Sequence, residues 1–376
     1  MKTSFIKIRN AVIHFFYLHL LKPIFFAMDP EFVHDLFTLF GRILGSNPFT
    51  RILNRLAFDY QDKILEQDIL GIHFRNPIGL AAGFDKDALL TKIIPCVGFG
   101  FEEIGSISGE KCAGNEQRPR LWRHPELKSL RIYYGLKNDG ADSISARLTR
   151  KKFAIPIGTS IVKTNCALTV DTEEGIKDYI KAFKAFARIG SYFTINLSCP
   201  NAFGGQPFTD ATRLDSLLRQ IDRISTKKPI FLKLSPDLTE LEVDAIISVA
   251  KKHKINGFIC TNLTKKHSFG QGGLSGKAVD ELSLKQIEYI HRKTNKTGGI
   301  FANKLIIIAC GGIFTAKDAY KRIRAGASLL QLITSMIYEG PQNVSEINRG
   351  LAKLLKENGF KSIKEAIGKP QNTLFD

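Results

Sequence analysis

The sequence predicts a (β/α)8 barrel of the α/β class with a helical N-terminal extension, and three observations point there. From residue 77 onward, eight short apolar runs recur: Pro77 to Gly83, Phe99 to Ile107, Ile155 to Val162, Tyr192 to Ser198, Pro229 to Ser235, Gly257 to Asn262, Leu305 to Ile313 and Leu329 to Met336. Amphipathic helical stretches separate most of them, among them Thr172 to Arg188, Leu238 to His253 and Thr315 to Arg324. Continuous apolar strands alternating with helices signal a parallel sheet, and eight units over roughly 250 residues close into a barrel. Third, the runs end in small and polar residues, which is where a barrel keeps its chemistry. An open doubly wound sheet is disfavoured because no Gly-x-Gly-x-x-Gly follows the first strand.

The extension comes first in the chain. Residues 5 to 27 concentrate Phe5, Ile6, Phe15, Phe16, Leu18, Leu20, Leu21, Ile24, Phe25 and Phe26, interrupted by Lys7, Arg9, His14, His19, Lys22 and Pro23. No clean span of about 20 apolar residues results. A second amphipathic stretch runs from Phe32 to Leu44, and Asp29-Pro30-Glu31 supplies a helix start. The expectation is a pair of helices lying on a membrane surface, residues 1–45, followed by the barrel, residues 46–376. Helices packed on the body of the protein are the competing reading.

Composition is that of an ordinary globular chain of 376 residues, with 44% hydrophobic and 24% charged residues. The net charge of +18 invites an anionic membrane surface or nucleic acid. The basic residues are scattered, and no zinc-finger spacing, aromatic-basic RNA motif or basic helix-turn-helix occurs, so no nucleic-acid partner is expected. Cysteines 96, 112, 166, 199, 260 and 310 include no Cys-x-x-Cys pair, which indicates free thiols in a reducing compartment and no metal site. Cys260 and Cys310 sit inside apolar runs and read as packing.

The strand ends carry the candidate site. The first ends in Ala81-Ala82-Gly83-Phe84-Asp85-Lys86, the fifth in Lys233-Leu234-Ser235, the sixth in Thr261-Asn262, the seventh in Gly311-Gly312 and the eighth in Thr334-Ser335. The fourth is richest: Tyr192 to Leu197 alternates so that Thr194, Asn196 and Ser198 share one face, and it leads into Cys199-Pro200-Asn201. Asn196 and Asn201 offer donors and acceptors to a flat heterocycle, and Cys199 can become a thiolate near neutral pH. A lysine at a strand end needs an anionic partner, so Lys233 is a candidate for tuning a flavin, while Lys86 could instead pair with Asp85 or Asp87. The glycine pair beside the hydroxyls of the eighth strand is suited to phosphate.

Taken together, Gly79-Leu-Ala-Ala-Gly-Phe-Asp-Lys86, Ile195-Asn-Leu-Ser-Cys-Pro-Asn201, Lys233-Leu-Ser-Pro-Asp237, Thr261-Asn262, Gly272-Gly-Leu-Ser-Gly276 and Gly311-Gly-Ile313 resemble the dihydroorotate dehydrogenases over nearly the whole chain. Met28-Asp-Pro-Glu-Phe-Val-His34, Phe74-Arg-Asn-Pro77 and Pro119-Arg-Leu-Trp-Arg123 resemble its membrane-associated, quinone-using class. The resemblance implies FMN contacts at Ala82, Gly83, Lys86, Ser106, Ser160, Asn196, Lys233, Thr261, Gly276, Gly312 and Thr334. It implies substrate contacts at Lys86, Asn196, Asn201 and Asn262, with Cys199 as the base that takes a proton from C5 of dihydroorotate. It further implies transfer of the electrons to a membrane quinone in pyrimidine synthesis, and a peripheral place on the membrane, on the cytoplasmic face of the inner membrane in a bacterium.

The chain departs from that pattern in places. The quinone class has serine where Cys199 stands, a change that keeps an adequate base, since a thiol has a reference pKa of about 8.5. Where the family reads Asn-Arg-x-Gly-Phe-Asn, this chain reads Ile132-Tyr-Tyr-Gly-Leu-Lys137, and Leu263 replaces a hydroxyl residue. At least one substrate amide is lost unless Tyr133 or Lys137 substitutes. Ser160 replaces an asparagine and Ile333 an aromatic residue. These changes favour, as an alternative, a relative that acts on a different small ring compound; a flavin-less membrane-bound binding protein is the third reading.

Overall fold

A computed structural model describes residues 2–198, 204–294 and 305–369. All eight expected strands form: β1 Ile78–Leu80, β2 Phe101–Ile107, β3 Ile157–Ile161, β4 Tyr192–Asn196, β5 Ile230–Leu234, β6 Gly257–Cys260, β7 Ile306–Cys310 and β8 Leu329–Leu332. They pair in parallel and in chain order, and β8 closes on β1. The expected helices α6 Thr172–Ala185, α8 Glu240–Ala250 and α10 Ala316–Ala325 surround them, together with α5 Ala141–Leu148, α7 Ala211–Asp222 and α9 Asp280–Thr294. Sequence dictates where these begin: Thr239 with Glu242, and Thr315 with Asp318, form reciprocal caps that satisfy the first free amides of α8 and α10.

Alternation along each strand sorts the core into two parts. Outward residues such as Phe193 pack on the helices, Phe193 stacking on Phe183 of α6 with ring centroids 4.0 Å apart. Inward residues change character from bottom to top. Phe101, Tyr192, Phe231, Ile259, Ile308 and Leu329 fill the lower barrel, and Phe74, from the hairpin Gln67–Ile69 and Ile72–Phe74, packs edge-on against Phe101. Two residues further along, Glu103 accepts hydrogen bonds from Thr194 Oγ1 (3.0 Å), Tyr192 Oη (3.2 Å) and Gln331 Nε2 (2.8 Å). The barrel is thus plugged by hydrocarbon at its N-terminal end and polar toward its C-terminal end, which fixes where a ligand can sit.

The N-terminal helices are α1 Lys2–Phe16, which runs through a π-helical turn, Tyr17–Leu21, into α2 Lys22–Ala27; α3 Pro30–Ser46, capped by Asp29 as the sequence indicated; and α4 Pro48–Phe58. The reading in which these helices pack on the body of the protein holds for one side of the segment. One edge of α1 and the π-helical turn dock on the barrel: Asn10 Nδ2 donates to Glu346 Oε2 (3.1 Å), Arg9 Nη2 to Ser345 Oγ (2.8 Å), and Tyr17 Oη to the Ile337 carbonyl (2.5 Å). The other edge leaves Phe5, Ile8, Val12, Phe15 and Phe16 about half exposed or more, and α3 and α4 add Phe32, Phe40, Ile43, Phe49 and Leu56. Phe5–Ala27 is long and apolar enough, by length and composition, to cross a membrane, which the interruptions at Lys7, Arg9 and Lys22 had argued against.

Candidate active site

At the C-terminal end of the barrel the strand ends enclose a cavity of about 1310 Å³, its open mouth included. It brings together Ala82, Gly83, Lys86, Ser106, Asn196, Lys233, Thr261, Asn262, Gly276, Gly312 and Thr334. These are all the expected site residues among the described ones except Ser160, which stands one step behind the wall and shares a 2.8 Å hydrogen bond with Ser106 Oγ. Cys199 and Asn201 lie outside the described residues.

The two asparagines are locked by their surroundings. Asn196 donates through Nδ2 to Ser106 Oγ (2.8 Å) and accepts at Oδ1 from Ser198 N (3.1 Å) and Ser198 Oγ (3.0 Å). Asn262 donates to the Ser198 carbonyl (3.0 Å) and to Ser198 Oγ (3.1 Å). Ser198 therefore fixes both amide orientations, leaving one N–H of Asn196 and the Oδ1 of Asn262 for a ligand.

Lys86 forms no ion pair with Asp85 or Asp87, contrary to one expectation. Asp85 instead accepts from Leu89 N and Leu90 N, each at 2.8 Å, and Asp87 from Asp139 N at 2.8 Å. The Lys86 ammonium lies 4.1 Å from the ring centroid of Tyr134 and 3.4 Å from His34 Nε2. Burial, and then the charge of Lys137, lower its pKa to about 8 against the pull of Asp35, Asp87 and Glu31. Cys310, expected to be simple packing, lines the cavity, and burial pushes its thiol up. Cys260 does pack, on the outer face of β6.

Several lining residues had been given no site role from the sequence. His34 and Tyr134 are distant in sequence from the strand ends. Ser335 Oγ and Gln331 Oε1 are buried without a hydrogen-bond partner, Tyr134 Oη likewise. A buried polar atom without a partner costs about 1–3 kcal/mol, so these atoms mark where a polar ligand belongs. Ile132, Leu136, Lys137 and Leu263 also line the cavity, whereas Tyr133 does not, which leaves Lys137 as the sole candidate of the two to replace the lost amide. Lys137 is itself held at 3.5 Å from Glu31 and 3.9 Å from Asp35.

The geometry agrees with comparisons to known proteins. The profile of the family described as Dihydroorotate dehydrogenase matches residues 64–355. The chain belongs to the dihydroorotate dehydrogenase family. Dihydroorotate dehydrogenase (quinone) of Nautilia profundicola is 38% identical over 362 residues, 94% of this chain and 96% of its own. Its namesake from Natronomonas pharaonis is also 38% identical, covering 93% of this chain and 98% of its own. Among solved structures, DHODH from Eimeria tenella in complex with ferulenol superposes with a TM-score of 0.79 at 30% identity, over 90% of this chain and 95% of its own. The family that the strand-end motifs resembled, and the quinone-dependent class that residues 28–34, 74–77 and 119–123 resembled, are thereby both established for this chain.

One wall of the cavity is rich in glycines. A Cβ on Gly276 would stand 2.4 Å from the Lys128 carbonyl and 2.8 Å from Thr334 Cγ2, and one on Gly312 2.5 Å from Arg322 Nη2. Both glycines line the cavity, and at these positive φ angles neither has room for a side chain. The unpaired Ser335 Oγ on the same cavity suits a phosphate oxygen, and the unpaired Gln331 Oε1 suits a ring N–H.

Proposed function

We propose that the protein oxidises dihydroorotate to orotate with a quinone as electron acceptor, in pyrimidine synthesis, using FMN. The observation that carries this reading is the convergence of Lys86, Asn196, Lys233 and Asn262 on one cavity in a chain whose full-length relatives are quinone-dependent dihydroorotate dehydrogenases. FMN, when bound, supplies the acceptor for the hydride that leaves C6. Gly276, Gly312, Thr334 and Ser335 hold its phosphate; Ala82, Gly83, Ser106, Thr261 and Asn196 frame the ring, with Ser160 holding Ser106; Lys233 places a cation beside it.

The substrate then lies against Lys86, Asn196, Asn262 and Asn201. The ammonium of Lys86 answers its carboxylate, and the free N–H of Asn196 and Oδ1 of Asn262 pair with amide edges of the ring. Cys199 takes the C5 proton. An apolar cluster of Leu121, Leu130, Phe314 and Ile337 runs from the cavity to Phe26 of α2, and supports entry of a hydrophobic quinone between the N-terminal helices. The half-exposed apolar faces of residues 1–45, on a chain of net charge +18, support peripheral attachment to an anionic membrane, at the cytoplasmic face of the inner membrane in a bacterium.

Ile132, Leu136 and Leu263 on the cavity wall favour a second reading, a related ring substrate with a less polar edge. Steady-state assay with dihydroorotate and a soluble quinone analogue separates the two: turnover at an ordinary enzyme rate, roughly 1–1000 per second, supports the first. Absence of turnover by yellow, FMN-loaded protein supports the second, and colourless protein without flavin absorbance refutes both.

A further inference from the structure

We propose that His34, carried by the N-terminal helix α3, is a positioning residue for the half-reaction that reduces the flavin: with Tyr134 it holds the Lys86 side chain in place and shields it from water on two sides. The proposal rests on the reading of Lys86 as a ligand of FMN and substrate.

The imidazole sits at a junction. Its Nε2 lies 2.8 Å from the carbonyl oxygen of Phe84, two residues before Lys86. A carbonyl can only accept, so Nε2 carries the hydrogen and the neutral ring is in that tautomer. Nε2 then has no lone pair to offer the Lys86 ammonium 3.4 Å away. The ring also packs edge-on against Phe84, with centroids 5.3 Å apart. His34 thus anchors the backbone of the Gly83–Lys86 turn and forms one wall around the ammonium. Tyr134 forms the opposite wall, its ring face 4.1 Å below the cation, and its hydroxyl is buried without a partner.

The groups that set the charge on Lys86 come from every side. Lys137 opposes it from the loop after strand Ser129–Ile132, while Asp35 and Glu31 on α3 and Asp87 on its own turn favour it. Burial outweighs them all. Burial, and then the Lys86 charge, in turn keep His34 below the ordinary histidine range, so the ring stays neutral although Asp35 Oδ1 is 3.2 Å from Nδ1. Removing the imidazole opens the ammonium to water, which raises its pKa. Removing the Tyr134 ring while keeping the wall apolar takes away a cation–π contact, which lowers it.

The test reads Lys86 directly. FMN-loaded wild type, His34→Ala, His34→Gln and Tyr134→Leu are acetylated with acetic anhydride across a pH series, and Lys86 modification is quantified by mass spectrometry. In His34→Ala the labelling midpoint rises by about one pH unit toward that of a free lysine, and in Tyr134→Leu it falls. His34→Gln, whose amide can still donate to the Phe84 carbonyl, restores the wild-type midpoint. In anaerobic stopped flow with dihydroorotate, His34→Ala bleaches the flavin about 10- to 100-fold more slowly at unchanged FMN content. Unchanged labelling midpoints in His34→Ala and Tyr134→Leu overturn the proposal, as does an unchanged bleaching rate in His34→Ala. A shifted midpoint in a protein whose wild type is not bleached by dihydroorotate keeps the positioning role and removes the substrate assignment.

Discussion

Glu31 of α3 and Arg120, which precedes strand Leu121–His124, form a doubly hydrogen-bonded ion pair that is almost wholly withdrawn from solvent, with Nε to Oε2 at 3.2 Å and Nη2 to Oε1 closer still. Arg118 and Lys137 stand 3.7 and 3.5 Å from the same carboxylate. One carboxylate on the N-terminal extension thus faces three cations of the barrel, and holds α3 where His34 reaches the cavity.

Replacing Arg120 with methionine leaves Glu31 buried without its bidentate partner and lowers stability by about 3–5 kcal/mol. Thermal unfolding of the FMN-loaded protein measures this. Burial alone would raise the Glu31 carboxyl, but the Arg120 hydrogen bonds and the charges of Arg120, Arg118 and Lys137 outweigh it and hold the group below the ordinary carboxylate range. A depressed folded-state pKa gives stability that is present above the unfolded value and lost as pH falls through the folded one. The methionine variant therefore shows a smaller loss of stability than wild type on acidification below about pH 4.3.

Gly276→Ala forces a Cβ into the Lys128 carbonyl and Thr334 at a φ of 72°. The strain, about 1–3 kcal/mol, falls on the loop assigned to the phosphate. The purified variant retains less FMN than wild type; equal flavin absorbance per protein contradicts the assignment.

Thiol labelling separates the cysteines. Burial raises Cys260 strongly, with Cys310 adding to it, and raises Cys310 despite the nearby charge of Lys233. Since only the thiolate reacts, iodoacetamide at neutral pH spares Cys260 in the folded protein and labels it after denaturation. Peptide mapping checks this, and labelling of Cys260 in the native protein contradicts the packing described.

Ile8→Asp with Val12→Asp places charge on the exposed edge of α1, away from the Asn10 and Tyr17 contacts. Flotation with anionic vesicles is lost in this variant, while reduction of a soluble quinone analogue by dihydroorotate persists. Retained flotation contradicts attachment through this face.

Ile132→Asn restores the amide that the family carries. Orotate binding, followed by the flavin spectrum, tightens by about 1–3 kcal/mol if the substrate meets that wall. No change places Ile132 away from the ring.

Much of this was legible in the sequence because barrel geometry ties chemistry to strand ends. Gly311-Gly312, Lys233 and Thr261-Asn262 each end a strand with an unambiguous apolar run, so their convergence followed once eight strands were counted. Residues brought in by tertiary docking were not legible. His34 reaches Lys86 only because α3 is clamped by Glu31, and Tyr134 lies in a loop whose path no periodicity encodes. Cys310 was misjudged because β7 is apolar throughout; alternation from Ile306 turns it inward, to the cavity, and Ala309 outward. The hydrophobic extension was hard to assign since one edge of α1 and the turn after it serve the barrel, through Arg9, Asn10 and Tyr17, and the other edge does not.

The most direct measurement is anaerobic mixing of the yellow protein with dihydroorotate, followed by stopped-flow absorbance. Rapid bleaching of the flavin is the predicted result. A flavin that stays yellow would contradict dihydroorotate oxidation by this protein.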